Sequence, residues 1–357
     1  MRLDELLSLL PLGFWRGVVV VFGLLWGSFL NVVIYRVPRE MSVVRPASHC
    51  PGCGKPIAGY DNVPVLSYVL LLGKSRCCKT RMSPRYPLVE LMGGMLSLVV
   101  FEVVILALPG DMSVARALAV YGADFALCLG LVSAAFIDAE HMFLPDSITL
   151  GGVVLGVATA TLRDLGLRTS VTGAVVGFLV IWLPFIFLYK GLLGRTGMGM
   201  GDAKLLALAG AWFGWPGALF TLLGGAIQGT IYAGLTRALG IEQTLPAAVL
   251  ADIAELEAAA ANGDEEARKA LAEDPLTEDD DDAFIVDFFR RIKDQPKPPP
   301  EPELEGPPEE ADLRDPIPED QRLRIPFGPF LILAVLELLF AGDWLREHFF
   351  SMVWPGL

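Results

Sequence analysis

The sequence predicts an all-α polytopic membrane protein, with about eight transmembrane helices and one small cysteine-rich cytoplasmic loop domain. Three observations carry that fold class. Hydrophobic residues make up 53% of the 357, and 37 glycines accompany them, which is rich for a soluble protein. Several apolar segments approach the roughly 20 residues that a helix needs to cross the hydrocarbon layer. Charge is segregated: residues 241–323 hold 25 acidic and 8 basic side chains, whereas the other 274 residues hold 16 and 20. The formal charge of −13 therefore reflects one acidic insert in an apolar protein. A soluble globular enzyme is excluded, and so is a protein reading nucleic acid through a basic face.

The elements follow in order. The apolar stretch 18–35 is too long for the core of a signal peptide, and no small-residue cleavage site follows it. It is expected to remain as the first membrane helix, near 14–35. Further spans are expected near 87–108, 114–137, 147–163 and 171–190. The segments 203–214 and 216–238 meet at the turn Gly214-Trp215-Pro216-Gly217, and the last span lies near 327–342. Glycine recurs inside these segments, as at Gly151, Gly152, Gly156, Gly173 and Gly177, where small residues let membrane helices approach closely.

Orientation follows from the short loops. Residues 36–85 carry nine Lys and Arg against only Glu40 and Asp61. An excess of Lys and Arg marks the cytoplasmic side, so the N-terminus is expected outside. Counting spans forward places 138–146, 191–202 and 239–326 in the cytoplasm and the C-terminus outside. Lys190, Arg195 and Arg237 agree; Arg163 and Arg168 dissent. The acidic insert opens with a helical pattern at Val249, Ile253, Leu256, Ala267 and Leu271. Beyond the acidic run 278–282 come Phe284, Ile285, Val286, Phe288 and Phe289, then nine prolines within 296–318 that form an extended linker. Charge blocks of this kind are usually solvated spacers. The alternative is a docking element for a cytoplasmic partner.

Two aspartates stand at the cytoplasmic ends of apolar segments. Asp138 closes one in Phe136-Ile137-Asp138-Ala139-Glu140-His141, and Asp202 opens another in Gly197-Met198-Gly199-Met200-Gly201-Asp202-Ala203-Lys204. Carboxylates at membrane depth are costly and point to function. Two of them close together share a proton, leaving one anion to activate water and one acid to protonate a scissile carbonyl. The three glycines before Asp202 are expected to let a substrate backbone approach. Ordinary capping at helix ends is the competing reading of both aspartates. Asp146, after Leu144-Pro145, is expected to cap the following helix.

The cysteines form a second constellation. Cys50-Pro51-Gly52-Cys53 is followed by the vicinal pair Cys77-Cys78, whereas Cys128 sits in an apolar run as a small core residue. Paired cysteine knuckles suit a tetrahedral structural zinc, and a reducing cytoplasm disfavours disulfides. A regular site would have cysteine at Ser75. Either Cys77 takes that place through local rearrangement, or His49 or water completes three good ligands.

Taken in order, these pieces resemble the bacterial type IV prepilin peptidase and N-methyltransferase family of GxGD-type membrane aspartyl proteases. The resemblance is carried by Gly27-Ser28-Phe29-Leu30-Asn31-Val32-Val33-Ile34-Tyr35-Arg36-Val37-Pro38, the Cys50 and Cys53 knuckle, and Asp61-Asn62-Val63-Pro64. It continues through Pro84-Arg85-Tyr86-Pro87-Leu88-Val89-Glu90-Leu91, Asp138 with Leu144-Pro145-Asp146, the glycine motif ending in Asp202, and Ile325-Pro326-Phe327-Gly328-Pro329-Phe330. It implies cleavage of prepilins or type II secretion pseudopilins at the cytoplasmic face of the bacterial inner membrane. It further implies methylation of the new N-terminus from S-adenosylmethionine, a catalytic dyad of Asp138 and Asp202, and zinc on Cys50, Cys53 and Cys78, with Ser75 at the remaining position and Cys77 beside it as the expected fourth ligand. Departures are Ser75 in a ligand position, Thr196 where the family is often acidic, and the long acidic insert.

The expected divisions are a first transmembrane helix (1–35), a methylation-associated loop (36–85) and a membrane peptidase core (86–240). The acidic, proline-rich insert (241–324) and the last helix (325–357) complete the chain. Expected partners are the precursor proteins and membrane lipid, with no nucleic acid, and a cytoplasmic pilus or secretion assembly partner through the insert. The alternatives are a peptidase lacking methylation, a serine-type signal peptidase, for which no exposed Ser with a placed Lys stands out, and an aspartate-dependent transporter. A transporter would want repeat symmetry and carboxylates near the midplane, neither of which is seen.

Overall fold

The computed structural model describes residues 1–50, 52–193, 197–241, 245–263, 268, 325–345 and 347–348. Among them the chain is helical with no strand, only isolated bridges such as His49 with Pro56. The helices are α1 (Leu3–Ser8), α2 (Leu12–Arg36), α3 (Leu66–Leu70), α4 (Arg85–Val99), α5 (Val114–His141) and α6 (Asp146–Thr159). They continue with α7 (Leu167–Ile181), α8 (Tyr189–Leu193), α9 (Met200–Ala238), α10 (Ala247–Ala261) and α11 (Gly328–Leu345). Five helical runs are long and apolar enough to cross a membrane: Leu12–Arg39, Arg85–Ala107, Val114–His141, Leu167–Leu192 and Met200–Ala238. Asp146–Thr159 and Gly328–Gly342 are apolar but shorter. Two runs reach that length only through π-helical stretches, Val100–Val104 after α4 and Trp182–Leu188 after α7.

The expected turn between 203–214 and 216–238 is instead a kink inside α9. Gly214 leaves the helix at φ 72°, ψ 179°, a conformation that a side chain resists. Pro216 has no N–H to give, so it cannot bond the Trp212 carbonyl four residues back. Arg163 supplies the missing donor: its Nη1 lies 3.0 Å from that carbonyl, while Nη2 bonds Gly156 O and the guanidinium covers the Trp212 ring at 4.1 Å. Arg163, which dissents from the expected orientation, is built into the helix packing here.

Of the three packed groups that share α5, two hold most of the buried residues. In one, Leu127 and Leu131 of α5 meet Leu206, Leu208 and Trp212 of α9 and Leu331 and Val335 of α11. In the other, Cys128 and Ile137 of α5 meet Ile34 of α2, Val89 of α4 and Val100 in the π-helical stretch after it. Cys128 is thus the buried core residue expected. Glycine governs the closest crossings. A Cβ on Gly27 would come within 2.8 Å of the Glu90 backbone, and one on Gly173 within 2.7 Å of Gly214.

The opening of the insert is the helix α10 that the sequence pattern predicts. It is not a free spacer. Leu245, Val249 and Ile253 are buried and pack on Met142, the residue that ends α5. Ala267, Leu271, the run 278–282, the aromatic patch 284–289 and the prolines of 296–318 lie outside the described residues.

Candidate active site

Both aspartates come from helix ends that the packing brings together. Asp138 lies one turn before the end of α5, where Met142 at φ 58° turns back and its N–H bonds the Asp138 carbonyl. The side chain is buried at 6% exposure. The backbone amide of Gly328, the first residue of α11, faces its carboxyl group. A Cβ at Gly328 would sit 2.6 Å from Asp138 Oδ2, so only glycine fits. Oδ2 has no hydrogen-bond partner, a rare condition for a buried oxygen and one that suits a reacting group.

Asp202 is the third residue of α9, with Gly199 as the cap before it. Burial, the charge of Asp138 and the Gly199 backbone amide all bear on the Asp202 carboxyl group. Leu144 joins the two sides: it is buried, lies 3.2 Å from the Cβ position of Gly328 and would meet a Cβ on Gly201 at 3.1 Å. Two of the glycines before Asp202 also have close neighbours in the fold. Gly201 makes room for Leu144, and Gly197 donates its N–H to Phe185 O at 2.9 Å in the π-helical stretch. A Cβ on Gly199 would make an ordinary contact of 3.7 Å with Asp202 Oδ2.

Asp146 is not the cap expected. Pro145 holds the cap position of α6 with no side-chain bond, and Asp146, the first residue of the helix, accepts from Lys204 Nζ at 2.7 Å. This ion pair ties the start of α6 to the start of α9, two residues from Asp202. On the other flank, Arg85 at the start of α4 pairs with Glu140 at 2.5 Å and lies over the Phe136 ring at 5.3 Å. Sequence reasoning passed over Leu144 and Gly328 as site residues, since their roles exist only in contacts. It also passed over Asp124, buried at 3% in the middle of α5, although an acidic residue inside an apolar run was signal enough. Arg163 lies within its electrostatic reach.

The cysteines converge. One sulfur from each of Cys50, Cys53, Cys77 and Cys78 lies within 4.8 Å of all the others. The loop builds two similar knuckles by the same backbone pattern. Cys50 N–H bonds Lys55 O and Gly54 N–H bonds Cys50 O; Ser75 N–H bonds Thr80 O and Lys79 N–H bonds Ser75 O. Gly54 and Lys79 both turn at positive φ. Ser75 therefore occupies the place that Cys50 holds in the first knuckle, and Cys77 fills the gap, its sulfur 3.3 Å from Cys53 Sγ and 4.0 Å from Cys78 Sγ. A tetrahedral zinc with bonds of about 2.3 Å needs sulfurs about 3.8 Å apart, which this set can meet without a fifth residue. Hydrogen bonds from the hydroxyls of Ser75 and Thr80 pull the Cys78 thiol down to about 5, favouring the thiolate that a metal needs.

Residues 21–104 match the bacterial peptidase A24 N-terminal domain, and residues 125–234 match the type IV leader peptidase family. A prepilin leader peptidase/N-methyltransferase of Myxococcus xanthus is 35% identical over 92% of this chain and 90% of its own. Proteins of the same name from Dichelobacter nodosus and Klebsiella pneumoniae are each 38% identical, covering 65% and 58% of this chain and 86% and 90% of theirs. No solved structure matches. The first matched region ends with the helix that carries Glu90, and the second holds both aspartates. With the paired helix-end carboxylates in one and the cysteine knuckles in the other, the chain belongs to the type IV leader peptidase family.

Proposed function

We propose that the chain cleaves the leader from prepilins or pseudopilins and methylates the new N-terminus, with Asp138 and Asp202 as the catalytic dyad. The observation that carries the dyad is the unpartnered, buried Asp138 Oδ2, whose charge reaches the second carboxyl group, that of Asp202. In this mechanism the ionised member takes a proton from water, and the protonated member gives its proton to the carbonyl oxygen of the scissile bond. Gly328 packs against the Asp138 carboxyl group and Gly199 lies beside that of Asp202, while Leu144 with the helix core excludes bulk water from behind. The ion pairs Lys204–Asp146 and Arg85–Glu140 position the helix ends without touching substrate.

S-adenosylmethionine is the methyl donor that this reading requires. Zinc on Cys50, Cys53, Cys77 and Cys78 is a structural ion: it closes the two knuckles into one unit and takes no part in the peptide cleavage. The two shorter apolar helices and the two halves of the kinked α9 bring the membrane spans to eight, in the bacterial inner membrane with the dyad on the cytoplasmic side. The peptidase core 86–240 then has α10 of the insert docked against it, leaving the rest of the insert as the place for an assembly partner. The test is incubation of purified protein with a prepilin and a labelled methyl donor, scoring cleavage and methylation separately. Full cleavage by Asp138→Asn or Asp202→Asn at normal protein levels would refute the dyad.

A further inference from the structure

The loop between α2 and α4 lies on the cytoplasmic side, yet its short helix α3 is not built to face water. Leu66, Val69 and Leu70 fall at i, i+3 and i+4 and share one face. They are 53%, 58% and 70% exposed, and Leu72 just beyond is 83% exposed. Large aliphatic side chains grouped in this way mark a surface that something covers.

A hydrogen bond sets the depth of this face. The Val65 N–H, immediately before α3, donates to Glu90 Oε2 at 2.7 Å, and Glu90 Oε1 accepts from the Ser28 hydroxyl at 2.8 Å. Glu90 lies five residues inside α4 from Arg85, and Ser28 eight residues inside α2 from Arg36. At 1.5 Å per residue those positions are about 8 Å and about 12 Å in from the helix ends. Val65 is therefore held below the level at which both membrane helices emerge. Its backbone shows the constraint: φ 61° and ψ −47°, with Leu66 N–H bonded to Pro64 O at 2.5 Å. A γ-turn of this hand is strained, more so at a β-branched residue, and survives only where the surroundings enforce it. Following the apolar face come Lys74, Lys79 and Arg81, all exposed. An apolar face at that depth with basic residues beside it complements the boundary between acyl chains and anionic headgroups.

We propose that α3 is an interfacial membrane anchor. Leu66, Val69, Leu70 and Leu72 enter the acyl boundary of the cytoplasmic leaflet, Lys74, Lys79 and Arg81 rest on anionic headgroups, and Glu90 holds the assembly at that depth. The cysteine unit that follows is thereby kept against the membrane. This inference depends on the membrane spans and not on the identity of the dyad.

The full-length protein is placed in nanodiscs of phosphatidylethanolamine and phosphatidylglycerol. A nitroxide is attached through p-acetylphenylalanine at Val69 or Leu70, leaving every cysteine untouched, with Val44 as control because it is 78% exposed in the same loop. Collisions with oxygen, which partitions into lipid, are compared with collisions with a water-soluble nickel chelate. Oxygen is expected to dominate at Val69 and Leu70 and nickel at Val44. Glu90→Ala is expected to move the Leu70 label towards water. Nickel access at both positions equal to that at Val44 would overturn the proposal. So would shielding from both reagents, which would mean that a protein covers the face. Equal depth in phosphatidylcholine discs would remove the anionic headgroups from it.

Discussion

The dyad and the cysteine loop solve opposite problems. Asp138 and Asp202 sit at helix ends whose positions depend on distant packing: Gly328 comes from the far side of the insert, and Leu144 from a loop between two helices. The cysteine loop is local. Its sulfurs are brought together by short-range backbone bonds within residues 50–55 and 75–80, and three of the four are exposed. A site made by packing fails when a neighbour changes size. One made by knuckles fails when a ligand is lost. The two should therefore break separately.

The largest effect is expected at the dyad. Asp138→Asn or Asp202→Asn should lower cleavage by about 10²–10⁴-fold, the usual contribution of general acid–base groups, with zinc content unchanged. Loss of zinc along with cleavage would show that the two regions are one cooperative unit.

Gly328→Ala comes next. The added Cβ would lie 2.6 Å from Asp138 Oδ2, and overpacking of this kind costs about 1–3 kcal/mol. Cleavage should fall by one to two orders of magnitude while methylation of a pre-cleaved product persists; normal cleavage would show that α11 does not form the wall of the site. The converse experiment is Cys77→Ser, which should lose stoichiometric zinc by metal analysis. Ser75→Cys added to that variant should restore it, because Ser75 stands where the second knuckle would present a sulfur. Zinc retained in the single variant would demote Cys77.

Removing 264–320 should leave cleavage intact, whereas removing 243–320 takes away Leu245, Val249 and Ile253. Burial of each such side chain is worth about 1.5–3 kcal/mol, so thermal stability of the longer deletion should fall. Equal melting of the two deletions would show that α10 is dispensable. The smallest effect is expected from Lys204→Met, since an ion pair with Asp146 exposed at 56% contributes about 0–1 kcal/mol. A loss of cleavage beyond a few-fold would bring Lys204 into the site itself.

Legibility varied with range. The apolar runs, both aspartates and the four cysteines could be read because each signal is carried by neighbours in sequence. Asp146 was misread as a cap because a Pro-Asp pair at a helix start looks the same whether the carboxylate turns inward to the backbone or across to Lys204. The contacts of Gly201 with Leu144 and of Gly197 with Phe185 could not be read because those partners lie elsewhere in the chain. The insert was read mainly by its charge, which hid the three apolar residues that seat α10 on Met142.

By itself, the sequence determined that the chain is helical and apolar, where its apolar segments run, and which side chains are candidates for chemistry. Those properties follow from side-chain transfer energies and helical periodicity, which act locally. Only the tertiary structure decided that Gly328 must be glycine, that the Cys77 sulfur stands beside those of Cys53 and Cys78, and that Glu90 bonds the amide just before α3. It also decided that Arg163 bonds the carbonyl left free by Pro216. Each of these is a contact of a few ångströms between residues far apart in sequence or turned by the backbone, and such contacts exist only once packing has fixed the distance between them.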